Sequence, residues 1–153
     1  MRLQKFLLLV VAFLLAGFAA SNPARAQDRY GEQKVVYHIN FAGGEDDKAY
    51  RTALTNVQNH INAVGKDRIT VKVLLHGDGV NLLRDAVENQ ALQSDVTSLK
   101  TQNVQFLVCN NTLTGRHIDY EKDLFEVFED DIVPSGVAEL SRLQQQGYTY
   151  IKP

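Results

Sequence analysis

Short apolar runs alternate with segments of helical periodicity along most of the chain. The apolar runs, rich in β-branched and aromatic residues, predict strands at residues 34–41, 69–75, 104–109, 131–133 and 148–152. Between them, apolar residues recur every three or four positions. This spacing predicts helices at residues 50–64, 92–99 and 137–143, a loop or short helix at 80–87, and one or two short helices around Leu113 and Leu124.

Strands separated by helical segments favour βαβ units and therefore a parallel sheet. The sequence predicts an α/β fold: a single flavodoxin-like three-layer domain with a five-stranded, mainly parallel sheet and helices on both faces. A flavodoxin-like strand order, 2-1-3-4-5, puts the ligand crevice beyond the carboxyl ends of the first and third strands. Three polar clusters follow strands and are expected to meet there, at residues 38–44, 76–78 and 109–112.

The first 26 residues have the pattern of an export signal. Arg2 and Lys5 precede an apolar stretch at residues 6–20, and Ala24-Arg25-Ala26 provides a cleavage site of small residues. The sequence therefore predicts a secretory signal peptide at 1–26, a mature domain at 27–153 and a periplasmic location. A retained anchor helix is the alternative, although roughly fifteen apolar residues fall short of the ~20 that span a bilayer.

Charge restricts the classes of partner. The chain has 16 basic and 18 acidic residues, and loss of Arg2, Lys5 and Arg25 with the signal leaves 13 basic residues against the same 18 acids. Nucleic acid is not expected as a partner, because phosphate binding depends on clustered Lys and Arg. No second apolar span follows the signal, so no membrane contact is expected after cleavage.

Cys109 is the only cysteine, so it cannot form a disulfide within the chain. The thiol is free, modified or shared between subunits. A functional thiol needs hydrogen-bond donors or positive charge that favour the thiolate. A short helix beginning near Asn111 would point its N–H groups at the sulfur, and Asn110, Asn111 and Thr112 could donate further bonds as ligand-binding residues. The alternative is a buried cysteine that acts only as a small hydrophobic residue.

The histidines fall into two groups. Along the first strand His38 and Asn40 share one face, where they would line a crevice as ligand-binding residues. His76 follows the second strand and precedes a Gly-Asp-Gly turn, which favours a role as base or hydrogen-bond donor to a ligand. For His38 the alternative is a hydrogen-bonded histidine within a covered sheet. His60 and His117 are predicted to be surface or packing residues.

Two other chemistries are disfavoured at these residues. A hydrolytic triad of Cys109, His76 and a carboxylate, either Asp78 or Glu45, needs a strict geometry and an oxyanion hole that spacing does not show. A metal site from His38, His76 and Cys109 lacks a recognised ligand spacing, so no metal is predicted.

The run Gly43-Gly44-Glu45-Asp46-Asp47 is likewise not a phosphate cradle. Its three acids would repel the anion that a glycine-rich loop attracts. The acids are expected instead to cap the following helix and complement its dipole. No cofactor is predicted.

Several segments together resemble the DsrE/DsrF-like family. They are the order of elements, the turn Leu75-His76-Gly77-Asp78-Gly79-Val80, the strand-end Cys109, and the tail at residues 133–140 and 147–153. The resemblance is strongest to the exported branch of that family. It implies a flavodoxin-like fold, a homo-oligomer (often a trimer or hexamer), and a strand-end cysteine that carries sulfur as a persulfide in sulfur relay or sulfur oxidation.

Two functions from different classes follow. In the first, the protein is a periplasmic persulfide carrier or an accessory protein of sulfur metabolism, and Cys109 exchanges sulfur with a donor or acceptor protein or with a small sulfur compound. Such a protein is a carrier more than a turnover enzyme, with sulfurtransferase-type activity as the enzymatic variant. In the second, the protein is a non-enzymatic oligomeric module that binds a small ligand or another protein, and Cys109 only packs.

Overall fold

The computed structural model describes residues 29–153. The signal peptide assigned to residues 1–26 lies outside the described residues. Within 29–153, no helix combines the length and the apolar character needed to cross a membrane.

Five parallel strands form one sheet at the centre of the domain. They are β1 (Gln33–Ile39), β2 (Ile69–Leu75), β3 (Gln105–Cys109), β4 (Ile132–Val133) and β5 (Thr149–Ile151). All four neighbouring pairs run parallel. The predicted fold class, a five-stranded parallel α/β domain, is confirmed.

The lateral order of the strands differs from the one assumed. The sheet runs β4-β3-β2-β1-β5, so the flavodoxin-like order 2-1-3-4-5 is wrong, and β2 lies where a crevice between β1 and β3 was expected. The alternation of strand and helix patterns along a sequence indicates how many βαβ units exist. It does not indicate on which side of the preceding strand each new strand is added to the sheet. The order reverses between β1 and β5, which is where such sheets usually bind ligands.

Six α-helices lie between residues 48 and 145. They are α1 (Lys48–Val64), α2 (Asn81–Asp85), α3 (Gln90–Lys100), α4 (Asn110–Arg116), α5 (Tyr120–Asp123) and α6 (Gly136–Gln145), with 3-10 turns at Glu45–Asp47, Gly77–Val80 and Glu129–Asp131. Three of these helices begin at side-chain caps, and in α5 the cap is Asp119, whose side chain accepts from the N–H of Glu121. The Asn89 side chain accepts from the first N–H groups of α3, and Ser135 accepts from Ala138 at the start of α6.

The start of α1 differs from the prediction. Asp47 stands at the N-cap position, but its side chain makes no capping hydrogen bond. Asp46 and Asp47 have left-handed backbone angles, with φ of 51° and 56°, and the Asp47 carboxylate accepts instead from Asn89 Nδ2 at 3.0 Å. The acidic side chain therefore ties the start of α1 to the start of α3.

The two faces of the sheet are covered unequally. Alternate residues of β1 to β3 pack against α1, α2 and α3 in one large apolar cluster, whereas the other face packs against α6 alone in a smaller one. Leu140 and Leu143 of α6 are buried there as predicted, but Val137, also predicted to face inward, is 66% exposed. Val137 is one residue, about 100° around the helix, from Gly136, which is buried against the sheet with Leu140 and Leu143, so its side chain points away from the sheet.

Candidate functional site

Strand pairing brings the predicted site residues to one face and one end of the sheet. In β1, Val36 faces the α6 cluster and Tyr37 the other cluster, so His38 faces α6. The pairing of Leu75 with Val108 continues past the strand end and puts His76 level with Cys109. The three predicted side chains therefore share the α6 face at the carboxyl ends of β1, β2 and β3.

Cys109 ends β3 and occupies the N-cap position of α4. Its side chain is 5% exposed, and its Sγ accepts a hydrogen bond from the backbone N–H of Gly136 at 3.1 Å. Burial raises the pKa of the Cys109 thiol. Hydrogen bonds to the sulfur from Gly136, Thr112 and Asn111 lower this pKa by more, so that it lies below its ordinary value.

Thr112 connects the thiol to the turn after β2. Its Oγ1 accepts from the backbone N–H of Gly77 at 3.0 Å, and its hydroxyl and its backbone N–H both contribute hydrogen bonds that favour the Cys109 thiolate. A hydroxyl both donates and accepts, so a single side chain serves the two contacts. Thr112 thereby holds the His76-Gly77 turn against the start of α4.

Gly136 allows α6 to approach the strand ends closely. A β-carbon at this position would lie 3.1 Å from Cβ of His76 and 3.2 Å from Cβ of Cys109. Only a residue without a side chain brings its backbone N–H this near to the sulfur without displacing its neighbours. The same distances show that His76 and Cys109 flank one point at the start of α6.

His38 connects β1 to β5 and to His76. Its Nδ1 is 2.8 Å from the Tyr150 hydroxyl, and its ring stacks on that of His76 with centroids 4.7 Å apart. Burial, then His76, then Lys152 lower the pKa of His38 to about 4, so its imidazole is neutral near pH 7. Burial and the positive charge of Lys152 also lower the pKa of His76. The thiolate is thus favoured by N–H and O–H donors and not by an imidazolium.

The groups needed for a hydrolytic triad are placed elsewhere. Asp78 pairs with Arg116 at 2.8 Å on the surface, and the charged group that acts on His76 is the cation Lys152. Glu45 is exposed in the 3-10 turn before α1. Among residues 29–153, no three His, Cys, Asp or Glu side chains are grouped so that they could hold a metal ion.

The remaining predicted side chains are distributed more widely. Asn40 is half-buried just beyond β1, whereas Asn110 and Asn111 are exposed, and Asn111 reaches the sulfur through its backbone N–H. His60 is part of the packing on the opposite face, bonded to Tyr37 at 2.9 Å and to Gln33 at 2.7 Å. His117 is exposed at the left-handed end of α4.

A cavity of about 520 Å³ opens near the carboxyl ends of β1 and β5. Its lining includes Phe41, Gly43, Ala49, Ala53 and Pro153. It lies on the α1 side of the sheet, whereas His38 and Cys109 face α6. The cavity and the thiol are therefore separate features of the same end of the domain.

Three residues at this site were not singled out by sequence. Gly136 supplies a backbone donor to the sulfur, and the Tyr150 hydroxyl is hydrogen-bonded to His38. Lys152 lowers the pKa values of both His38 and His76. The apolar and polar alternation of the last strand could have placed Tyr150 on the His38 face only if β5 had been known to pair with β1. Gly136 acts through its backbone, which leaves no side-chain pattern to read.

A model of the DsrE/DsrF-like family matches residues 34–153. This chain belongs to the DsrE/DsrF-like family. Among solved structures, it is similar to MTH1491 from Methanobacterium thermoautotrophicum, a protein of unknown function, with 32% identity, a TM-score of 0.67 and coverage of 80% of this chain and 100% of that one. No curated protein matches the sequence.

The DsrE/DsrF-like match covers the whole candidate site and all five strands except Gln33, the first residue of β1. The family is associated with sulfur relay. In this DsrE/DsrF-like chain, the sole thiol lies at a strand end among hydrogen-bond donors, an arrangement that favours an anionic sulfur.

Proposed function

We propose that this DsrE/DsrF-like protein is a periplasmic sulfur carrier in which Cys109 takes up sulfane sulfur as a persulfide and passes it to a partner. The observation that carries the proposal is the hydrogen bonding of the sulfur, with the Gly136 N–H at 3.1 Å and further donors from α4. Donors aimed at a sulfur favour its anionic form, and the thiolate is the nucleophile in sulfur chemistry. The family's association with sulfur relay supports sulfur as the cargo.

The acceptor must lie on another molecule. Cys109 is the only cysteine, so a persulfide formed on it has no second thiol in the same chain to move to. A partner protein, a small thiol or a neighbouring subunit must receive the sulfur. We further propose a homo-oligomer, a trimer or hexamer, on the resemblance to the family, and the exposed Val137 and Tyr150 near the site are apolar surface that such an assembly could cover.

The periplasmic part of the proposal rests on the composition of residues 1–26. Basic residues, an apolar stretch and an Ala-Arg-Ala sequence follow one another in the order of an export signal. Fractionation of cells expressing the full-length protein tests this part separately. Recovery of a shortened chain beginning at Gln27 in the periplasmic fraction is the expected result, and recovery of the full-length chain in the cytoplasm would contradict it.

A second function is favoured by one observation, the low exposure of Cys109 at 5%. A thiol that only packs would be buried in the same way. In that case the protein is an oligomeric binding module, and its ligand or partner contacts do not involve sulfur transfer. The two functions differ in how readily the thiol reacts.

Intact-mass measurement after exposure of the folded protein to polysulfide or thiosulfate tests the carrier function. Wild type should gain about 32 Da per sulfur atom bound, as a reversible cap of the thiol. Cys109→Ser should gain no mass, because it has no thiol to take up sulfur. Serine is close to cysteine in size, which makes this variant a matched control. A wild-type protein that gains no sulfur from either compound, and whose thiol reacts with iodoacetamide only after unfolding, would establish the packing function instead.

A further inference from the structure

His38 is a buried side chain with one polar atom left over. The residue is 7% exposed, its Nδ1 bonds the Tyr150 hydroxyl at 2.8 Å, and its Nε2 is buried without a hydrogen-bond partner among the described residues. Buried polar atoms are nearly always paired, and leaving one unpaired costs about 1–3 kcal/mol. An unpartnered nitrogen of this kind points to a bound group.

The leftover nitrogen belongs to the same end of the sheet as the thiol. The His38 ring stacks on His76, and His76 and Cys109 both lie against the start of α6. His38 is also in the strand next to β5, where the strand order reverses. The reversal marks the usual ligand position in an open parallel sheet, so topology and the unpartnered atom indicate the same place.

Positive charge is placed beside His38 by the pairing of β1 with β5. Val36 pairs with Tyr150 and Tyr37 with Ile151, so the next pair along, His38 and Lys152, shares a level and a face. The influence of Lys152 on the pKa values of both His38 and His76 agrees with this placement. The nearby surface carboxylate of Asp78 is paired with Arg116. A cation and a neutral N–H donor together favour an anion.

We propose that Lys152 and His38 form an anion subsite at the same strand-end edge as Cys109, across His76 from the thiol, and that the compound that loads the thiol is a small sulfur anion with a terminal sulfane sulfur. This inference rests on the proposed carrier function and names its substrate class. It assigns to His38 the tautomer in which Tyr150 donates to Nδ1 and Nε2 carries the proton. Tyr150 is then a positioning residue that keeps the Nε2–H available for the anion.

The transfer step balances without an added oxidant or reductant. With thiosulfate, the Cys109 thiolate attacks the sulfane sulfur, the S–S bond of thiosulfate breaks, and its electron pair leaves with sulfite. The products are a persulfide anion on Cys109 and free sulfite, so the total charge is unchanged. The subsite would hold the charge of the departing sulfite, while the donors around Cys109 hold that of the persulfide.

Two alkylating reagents of similar shape test the subsite without any sulfur donor. Iodoacetate is an anion and iodoacetamide is neutral, so the ratio of their rates at Cys109 reports local positive charge. Lys152→Met should lower the iodoacetate rate about twofold at low ionic strength, because Lys152 is three strands from Cys109 in the sheet and its charge is partly screened over that distance, and should leave the iodoacetamide rate unchanged. Lys66→Met, which removes an exposed cation from the turn between α1 and β2 at the other end of the sheet, is the matched control and should change neither rate.

The same variants are then loaded with thiosulfate. Slower loading of Lys152→Met than of Lys66→Met supports the inference, whereas an unchanged rate ratio in Lys152→Met overturns it even if wild type loads readily. A rate ratio that falls in Lys152→Met while wild type gains sulfur from no donor would retain the anion subsite and remove the carrier function. If the thiol reacts with neither reagent, thiosulfate is titrated into Cys109→Ser, and ring ¹⁵N shifts of His38 decide: movement supports the subsite and no movement overturns it.

Discussion

The two faces of the sheet use neighbouring residues of the same strands for different purposes. On the face covered by α1, α2 and α3, the apolar pattern runs to the end of each strand, as Ile39, Leu75 and Val108 show. On the face covered by α6, the apolar residues Val36, Leu74 and Leu107 are each followed, two positions on, by His38, His76 and Cys109. One face therefore completes the hydrophobic core, whereas the other places histidine and cysteine side chains at the strand ends.

The difference between the faces shows where this fold can carry polar groups at low cost. The helices α1, α2 and α3 on one side cover a continuous core, in which a polar group without a hydrogen-bond partner would be buried at a cost in stability. A single helix on the other side leaves its first turn over the strand ends, and backbone N–H groups there reach the sulfur. We expect substitutions on the first face to change stability, and those on the second to change reactivity.

The largest expected effect on stability concerns Gly79, in the 3-10 turn Gly77–Val80 between β2 and α2. A β-carbon on Gly79 would lie 1.9 Å from the carbonyl oxygen of Ile39, so Gly79→Ala forces the turn away from β1. The free energy of unfolding should fall by about 3 kcal/mol or more, measured by chemical denaturation. Gly115→Ala is the matched control, because nothing lies within 4 Å of its added carbon. A Gly79→Ala protein as stable as Gly115→Ala would contradict the close packing.

Adjacent residues of β1 compare the two faces directly. Ile39→Ala empties a fully buried position and should cost about 2–4 kcal/mol. His38→Leu keeps a buried side chain of similar size and removes the unpartnered Nε2, so its stability should stay within about 1 kcal/mol of wild type while thiosulfate loading slows. Denaturation and intact mass measure the two outcomes. If His38→Leu is as unstable as Ile39→Ala, His38 is a structural residue and the faces do not differ as described.

The pH dependence of stability should distinguish the same pair. His38 has a pKa of about 4 in the folded protein and an ordinary value near 6.5 when unfolded, so the unfolded chain binds the extra proton first as pH falls. The contribution of His38 to the free energy of unfolding is therefore fully present above about pH 6.5. It is lost progressively as the pH falls towards 4, by up to about 3 kcal/mol. His38→Leu should show a shallower loss between pH 7 and pH 4, whereas Ile39→Val should keep the wild-type slope. Parallel curves for all three proteins would show that His38 takes up its proton equally in both states.

Sequence reasoning was most successful where local pattern decides structure. The bounds of β2 were predicted at both ends, and Cys109 was placed at the end of β3, because apolar runs end where the sheet ends. The alternation along β1 separated His38 from Tyr37 for the same reason. The strand order was missed, since β3 can be added beside β1 or beside β2, and β5 at either edge, with the same local sequence, and only the long-range pairings decide.

Of the candidate site, the sequence predicted the residues that follow strands and missed those that depend on pairing between distant segments. Cys109 and His76 follow strands and can be found by position, but Lys152 and Tyr150 reach His38 only through the pairing of β5 with β1. Gly136 is 27 residues from Cys109 and acts through its main chain. The expected caps at Asp46 and Asp47 failed because both residues have left-handed backbone angles and the Asp47 carboxylate turns to Asn89. Each miss is a contact between distant segments.

The smallest expected effect concerns one hydroxyl at the thiol. Thr112→Val keeps the shape of the side chain but removes the donor to Cys109 and the acceptor for the Gly77 N–H, so the thiolate loses one of the bonds that lower its pKa. The midpoint of iodoacetamide alkylation against pH should move to higher pH, with stability reduced by about 1 kcal/mol. Thr114→Val, exposed two residues further along α4, should move neither. An unchanged midpoint in Thr112→Val would mean that the backbone donors alone hold the thiolate, and would shift the origin of its reactivity to the close approach of α6 at Gly136.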